Sequence, residues 1–224
     1  MTSRSDDVPQ DEPDATTDSP VPGAAAVKSA PVRKRPKPGE RRVQILQTLA
    51  AMLQEPQPEK ITTAALAARI GVSEAALYRH FASKAQMYEG LIEFIEQTLF
   101  SLIARITTDT PSPAAQVEAI LSMLLNFAAK NPGMTRVLIG DALVHENERL
   151  QKRINQLHDR VEAQLRQCLR FCGDKQSELS APLANLLLCT VIGRWHQFAK
   201  SGFTRPPGGD LDLLLTRLLD AHPA

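Results

Sequence analysis

Apolar side chains recur at spacings of three and four residues along most of the chain after residue 40. This spacing is the period of one face of an α-helix, whereas a half-buried strand would alternate apolar and polar residues, and no segment does so. The first stripe starts after Glu40 and ends before Pro56. Its members are Val43, Leu46, Leu49 and Leu53. The pattern predicts an all-α fold.

The same period predicts further helices over about residues 84–106, 113–130, 134–139, 141–171, 180–200 and 210–219. The helix over 141–171 has one apolar seam and a densely charged opposite face, as in a coiled coil. The helix over 180–200 is apolar over a wide arc, and a chain of 224 residues has few places to bury it. We therefore expect a homodimer built from the last helices.

Residues 1–39 hold seven of the 16 prolines and almost no bulky apolar side chains, which predicts a disordered tail. Its acidic residues come first, and a basic stretch over residues 33–42, including Arg42, leads into the first helix. The basic end is suited to lie along DNA phosphates, and the alternative is a solvated linker. Because the net charge is only +1, attraction to nucleic acid depends on where the charges lie.

Several classes of protein are excluded by what the sequence lacks. No run approaches the roughly 18 apolar residues that span a bilayer, and the N-terminus does not resemble an export signal, so we expect a cytoplasmic chain without a membrane anchor. Cys168 and Cys172 are four residues apart, but no CxxC or histidine pair completes a metal site, so we expect neither metal nor cofactor. His145, His158 and Cys168 have no catalytic motif around them, so we expect no enzyme.

Residues 62–81 have the spacing of a helix-turn-helix. Thr62 or Thr63 is suited to cap a short helix, which Gly71 ends because glycine adopts a left-handed backbone freely. Ser73 then caps a second helix. This arrangement lets the second helix enter a DNA major groove.

The residue types of this segment suit contacts with duplex DNA. The first turn of the second helix is slim, so its backbone can approach base edges, and alanine methyl groups can contact a thymine methyl. Its residues are Ser73, Glu74, Ala75 and Ala76. The same geometry turns four polar side chains toward phosphates, namely Tyr78, Arg79, His80 and Lys84. Leu77 and Phe81 are predicted to point into the core. Thr62 and Thr63 expose a helix N-terminus suited to a phosphate.

Two of these assignments have alternatives. Tyr78 could pack its ring beside the first helix, and His80 could be an ordinary surface histidine. Lys84 lies near a helix N-terminus, where a cation is unfavourable, so we expect an anion beside it.

LYRHFASK, with GVSEAA before it, resembles the signature of the tetracycline-repressor (TetR) family. The resemblance implies a three-helix DNA-binding domain over residues 40–88, a larger helical dimerisation domain over 89–224, and recognition of palindromic DNA by the dimer. Runs outside this signature resemble the nucleoid occlusion branch of the family. They are LIEFIE, KNPGMTRVLIGDAL and ERLQKRINQLHDRVEAQLRQ.

This branch implies a nucleoid-associated protein that binds chromosomal DNA and the tubulin-like division protein FtsZ together. It disrupts FtsZ polymers, so division is blocked over the nucleoid. The implied FtsZ surface lies on the fourth and fifth helices and includes Phe94 and Lys130. Lys130 replaces an expected arginine, and Asn126 and Leu102 stand where glycine and arginine are expected. Lysine cannot reproduce a bidentate guanidinium contact.

Two alternatives remain open at this point. Phe94 lies between apolar positions of its helix, so the periodicity alone favours a place in the core. The chain as a whole is also compatible with a ligand-responsive transcriptional repressor, whose second domain would hold a small-molecule pocket.

Overall fold

The computed structural model describes residues 39–55 and 61–209, all within the unit Pro36–Ala224. The α-helices of these residues are α1 (Glu40–Leu53), α2 (Thr63–Ile70), α3 (Glu74–Tyr78), α4 (Lys84–Asp109), α5 (Pro113–Lys130), α6 (Pro132–Leu138), α7 (Glu148–Leu169), α8 (Asp174–Glu178) and α9 (Ser180–Lys200). A 3-10 helix covers Asp141–Leu143. The described residues contain no strand, and the predicted all-α class is confirmed. The predicted tail over 1–39, except Gly39, and the predicted helix over 210–219 lie outside them.

Helices α1, α2 and α3 share one apolar centre with the start of α4. Its fully buried members include Ile45, Leu49, Leu66, Leu77 and Phe81. The predicted face of α1 was partly wrong, because Val43 is 54% exposed and the buried stripe is Ile45, Leu49 and Leu53. Helix α1 carries apolar residues over a wide arc, so the neighbouring helices decide which of them are covered.

Helix α4 connects these helices to the rest of the fold without a break. It is 26 residues long and buries an i, i+4 stripe against α1 at one end and α5 and α7 further along. The stripe consists of Met87, Leu91, Ile95, Leu99 and Ile103. Helix α7 buries its apolar seam against α9 and α5, and the seam residues predicted between Leu150 and Cys168 are all buried.

Helix α6 lies unusually close to α1. A β-carbon on Gly133 would lie 1.9 Å from the carbonyl oxygen of Ala50, so glycine is required for this approach. Thr135, also on α6, is fully buried, and its hydroxyl donates to the backbone carbonyls of Ala128 and Asn131 at 3.1 Å. The close packing of α6 on α1 joins the helix-turn-helix part of the chain to the remaining helices.

The predicted helix over 141–171 was wrong at its start. Gly140 has a φ of 79°, a short 3-10 helix follows, and α7 begins only at Glu148. The side chain of Asn147 accepts a hydrogen bond from the Arg149 amide at 2.9 Å, which caps α7 and separates it from the preceding turn. Helix α6 begins earlier than predicted, at Pro132, whose fixed φ suits the first helical position. Helix α8 was not predicted.

In the part of the chain that the structure describes, no helix is both long and apolar enough to cross a bilayer. Within the same residues, no three His, Cys, Asp or Glu side chains are grouped to hold a metal ion. Cys168 is buried, and the Cys172 thiol donates to the Cys168 carbonyl at 3.5 Å. Burial raises the pKa of both thiols, so both are protonated near neutral pH.

Candidate nucleic-acid interface

The helix-turn-helix is built by local caps, as the sequence predicts. The Thr62 hydroxyl accepts a hydrogen bond from the Ala65 amide at 3.1 Å and starts α2. Gly71 ends α2 with a φ of 74°, in the left-handed region. The Ser73 hydroxyl then accepts from the Ala76 amide at 3.3 Å and starts the recognition helix α3. These three predicted residues hold the positions assigned to them.

The recognition helix has a buried side and an open side. Leu77 and Phe81 are buried, as predicted. Of the residues predicted to contact DNA from this element, Ala76 is half-buried and the others are exposed: Ser73, Glu74, Ala75, Tyr78, Arg79 and His80. No large apolar side chain blocks the first turn. The open side is therefore suited to approach base edges closely.

A hydroxyl on α2 connects two residues of the recognition helix. The Thr63 hydroxyl donates to the Glu74 carboxylate at 2.6 Å and accepts from the Tyr78 hydroxyl at 3.4 Å. Glu74 and Tyr78 are one helical turn apart on α3, so both face Thr63 on the adjacent helix. The polar tip of Tyr78 is thus directed to α2, and its side chain stays half-exposed.

Arg42 supports the end of the recognition helix. Its guanidinium donates to the His80 carbonyl at 3.0 Å and lies 4.1 Å from the centre of the Phe81 ring. The hydrogen bond provides a partner for a carbonyl beyond the C-terminus of a short helix, and the ring contact adds a cation–π interaction. Arg42 remains exposed, so its charge is available at this surface.

Lys84 has the nearby anion that its position predicts, and this anion is a protein carboxylate. Its ammonium group lies 2.5 Å from the Glu146 carboxylate, in a half-buried pair, and 5.7 Å from the Tyr88 ring centre. Burial and, to a smaller extent, the negative charge of Glu146 raise the pKa of the Tyr88 phenol. Glu146 was missed by sequence reasoning because it lies 62 residues along the chain and carries no local signal.

The two residues that the sequence assigns to a partner surface lie on α4 and α5 and are exposed. Phe94 is 48% exposed between the buried residues Leu91 and Ile95, so the core alternative for this residue is wrong. Lys130 is exposed at the end of α5, the neighbouring helix. Asn126 is exposed as well.

The flank of α4 that faces α7 is held by ion pairs. Arg153 binds the Glu96 carboxylate at 2.7 Å, and Arg149 pairs with Glu89. Hydrogen bonding to Glu96 raises the pKa of the Arg153 guanidinium and keeps it charged. These pairs fix α4 against α7 and so hold the backbone that carries Phe94.

Comparisons with known proteins identify the class. A family model described as bacterial regulatory proteins of the tetR family matches residues 45–91, and one described as a tetracyclin repressor-like C-terminal domain matches residues 113–219. Solved structures of other regulators share the fold. A Rhodococcus sp. RHA1 transcriptional regulator has a TM-score of 0.66 at 21% identity, covering 80% of this chain and 96% of its own. FadR from Bacillus halodurans has a TM-score of 0.67 at 16% identity, covering 82% and 97%. The chain has the DNA-binding fold of TetR-type regulators, which are not enzymes.

Curated relatives identify the branch. The nucleoid occlusion factor SlmA of Alteromonas mediterranea is 51% identical over 175 residues, covering 76% of this chain and 90% of the relative. SlmA of Shewanella pealeana is 52% identical over 171 residues, covering 75% and 87%. SlmA of Marinomonas sp. is 49% identical over 175 residues, covering 76% and 89%. The chain belongs to the SlmA family of nucleoid occlusion factors.

Proposed function

We propose that a homodimer of this chain binds palindromic chromosomal DNA and, while bound, binds FtsZ and disrupts its polymers. Division would then be blocked over the nucleoid, where the protein would be located. Residues 40–88 would form the DNA-binding domain, and residues 89–224 would provide dimerisation and the FtsZ contact.

The DNA contact in this proposal uses both helices of the helix-turn-helix. Base edges would be met by the first turn of α3, and phosphates by polar groups around it. The proposed set is Arg42, Thr62, Thr63, Ser73, Glu74, Ala75, Ala76, Tyr78, Arg79, His80 and Lys84. Lys84 would have to exchange its carboxylate partner for a phosphate, or bridge the two. Symmetric DNA requires two copies of this surface, which a twofold dimer supplies.

The dimer proposal rests on apolar side chains that this protomer leaves open. Leu186 on α9 is 49% exposed and Leu179, just before α9, is 53% exposed. Removing apolar surface of this kind from water is the main driving force of subunit association. A second copy of α9 against the first would cover both residues.

The FtsZ proposal rests on one observation, the exposure of Phe94. A phenylalanine that is half exposed on a long, rigid helix is available to a partner, and aromatic residues are enriched where proteins bind each other. The first turn of helix α4 also forms the end of the DNA-binding part, so DNA and FtsZ would be held by one continuous element. Lys130 would contribute positive charge beside it.

Sedimentation of assembled FtsZ tests this proposal. FtsZ polymers with GTP are pelleted with the chain and a palindromic DNA enriched by selection, using wild-type protein, Phe94→Ala and Phe171→Ala. Phe171 is the other exposed phenylalanine of the chain and serves as the matched control. We expect polymer to be lost with wild-type and Phe171→Ala protein and retained with Phe94→Ala, at equal DNA affinity. Polymer that persists with wild-type protein on DNA would instead favour the ligand-responsive repressor.

A further inference from the structure

The helix-turn-helix contains a single carboxylate, and that carboxylate lies on the surface proposed to face DNA. Glu74 is the only acidic residue between positions 61 and 88, and it is the first residue of α3. Its neighbours Ser73, Ala75 and Ala76 are small, so Glu74 is the longest side chain on the first turn of the recognition helix. A carboxylate at this position repels the phosphates of any DNA that approaches it.

The hydrogen bonds around Glu74 give it a second effect on phosphate binding. A threonine hydroxyl has one proton to donate, and Thr63 donates it to Glu74 at 2.6 Å. Tyr78 donates into the same hydroxyl from the other side at 3.4 Å. While this arrangement persists, Thr63 has no proton for a phosphate at the N-terminus of α2. A phosphate contact by Thr63 therefore requires Glu74 to release it.

We propose that Glu74 is a specificity-determining residue that releases Thr63 only when a cytosine amino group in the major groove replaces the hydroxyl as its donor. The N4 amino group of cytosine is a base-edge donor that a carboxylate accepts, and guanine and thymine present acceptors at the corresponding edge. Adenine also has an amino donor, N6, but its N7 acceptor lies beside it and repels the second carboxylate oxygen. Base recognition and phosphate contact are coupled in this way through one hydroxyl proton. The inference rests on the proposed DNA binding and adds a base preference to it.

The proposal separates two kinds of DNA. On the operator, Glu74 binds a cytosine and Thr63 is free to donate to a phosphate. On other sequences Glu74 stays on Thr63, so the phosphate contact is lost and the carboxylate charge faces the phosphate backbone. Glu74 thus weakens binding to unrelated DNA relative to binding to the operator.

The test compares selected operator sequences and affinities for wild-type protein, Glu74→Gln and Glu74→Ala. Glu118→Gln, an exposed glutamate on α5, is the matched control for loss of one negative charge. Removing a unit charge about 4 Å from a phosphate in water changes the binding constant about fivefold. Because a homodimer carries two copies of Glu74, we expect both Glu74 variants to bind unrelated duplex about 25-fold more tightly than wild-type and Glu118→Gln.

The base preference gives the sharper result. Wild-type protein should select cytosine at one position in each half-site. Glu74→Gln should select adenine there, because an amide pairs with the N6 and N7 atoms of adenine, and Glu74→Ala should select no base. Thr63→Val should reduce the operator affinity of wild-type protein but leave its affinity for unrelated DNA nearly unchanged. In the Glu74→Ala background, where Thr63 is free on every sequence, the same change should reduce both affinities, and Thr63→Ser should restore them.

Two outcomes overturn the inference. One is an identical selected sequence for all three proteins, and the other is an unchanged affinity for unrelated DNA in both Glu74 variants. Either result, obtained with a wild-type chain that binds its selected site tightly, removes the role of Glu74 and leaves the proposed function intact. A wild-type chain that selects no DNA site would overturn the proposed function itself.

Discussion

Replacing Gly133 with alanine tests the close approach of α6 to α1. The added β-carbon would lie 1.9 Å from the Ala50 carbonyl oxygen and 3.1 Å from the Gln54 backbone nitrogen. Both are backbone atoms, so no change of side-chain rotamer relieves the overlap and the two helices must separate. Separation would also disturb the buried hydrogen bonds of Thr135 on the same helix.

The expected decrease in the free energy of unfolding for Gly133→Ala follows from two opposing contributions. Overpacking of a buried contact costs about 1–3 kcal/mol. Alanine is favoured over glycine in a helix by at most about 1 kcal/mol. Because backbone atoms must move, we expect the overlap to cost about 3 kcal/mol or more, the upper end of the overpacking range. The free energy of unfolding should fall by about 2 kcal/mol, which lowers Tm by about 4–8 °C in a chain of this size.

Thermal and urea unfolding, followed by circular dichroism at one protein concentration, measures this change. Gly90→Ala is the control, because its β-carbon would meet side-chain ends, a Phe81 ring carbon at 3.0 Å and a Leu46 methyl at 3.4 Å. These atoms can move, so we expect a change within about 1 kcal/mol. Wild-type stability for Gly133→Ala, or a larger loss for Gly90→Ala, would refute the argument.

Four further predictions concern DNA binding and pH. Lys84→Ala should weaken binding to every sequence and reduce the slope of log affinity against log salt by about 1.8, because a dimer loses two charged phosphate contacts; titration at several salt concentrations checks this, and an unchanged slope would remove Lys84 from the interface. Tyr78→Ala should weaken binding to every sequence without changing that slope, because a neutral hydroxyl releases no counterion, and an unchanged affinity would remove Tyr78 from the interface. Ala75→Leu or Ala76→Leu should abolish operator binding by excluding α3 from the groove, and undiminished operator affinity would argue against this placement. Burial lowers the pKa of His158 from its ordinary 6.5, so the unfolded chain takes up a proton that the folded chain excludes, and stability should fall as the pH drops through 6.5. Urea unfolding should show a smaller decrease in the free energy of unfolding between pH 8 and pH 5.5 for His158→Phe than for wild-type. Equal decreases would contradict the lowered pKa of His158.

The helix-turn-helix could be predicted from the sequence in detail because its signals act over a few residues. Thr62 and Ser73 each cap a helix through an amide three positions away, and Gly71 supplies a left-handed backbone that other residues rarely adopt. Leu77 and Phe81 follow from helical spacing. None of these features depends on a distant part of the chain.

Features that depend on distant contacts were the ones that sequence reasoning missed. The burial of α1 is decided by α2, α4 and α6, so Val43 was wrongly assigned to the core. The Glu146 partner of Lys84 lies 62 residues away, and nothing in the local sequence indicates it. The start of α7 was misplaced because the apolar spacing continues through Leu143, whereas Gly140 and Asn147 interrupt the helix.

Phe94 shows the limit of periodicity most clearly. Leu91, Phe94 and Ile95 all fall within one apolar arc of α4, and spacing alone favours the core for each of them. In the folded chain Leu91 and Ile95 are buried, while Phe94 lies at the edge of the arc and faces outward. Which of these residues packs in the core and which is left open to a partner is decided only by the positions of the neighbouring helices.

The proposed function requires DNA and FtsZ to be bound to this protein at the same time. Sedimentation velocity with fluorescent operator DNA, the chain and unpolymerised FtsZ measures this directly. We predict that FtsZ shifts the protein–DNA boundary to a faster species that still carries the DNA, and that Phe94→Ala protein gives only the protein–DNA boundary. Release of the DNA by FtsZ, or an unshifted boundary with wild-type protein at saturating FtsZ, would contradict the account.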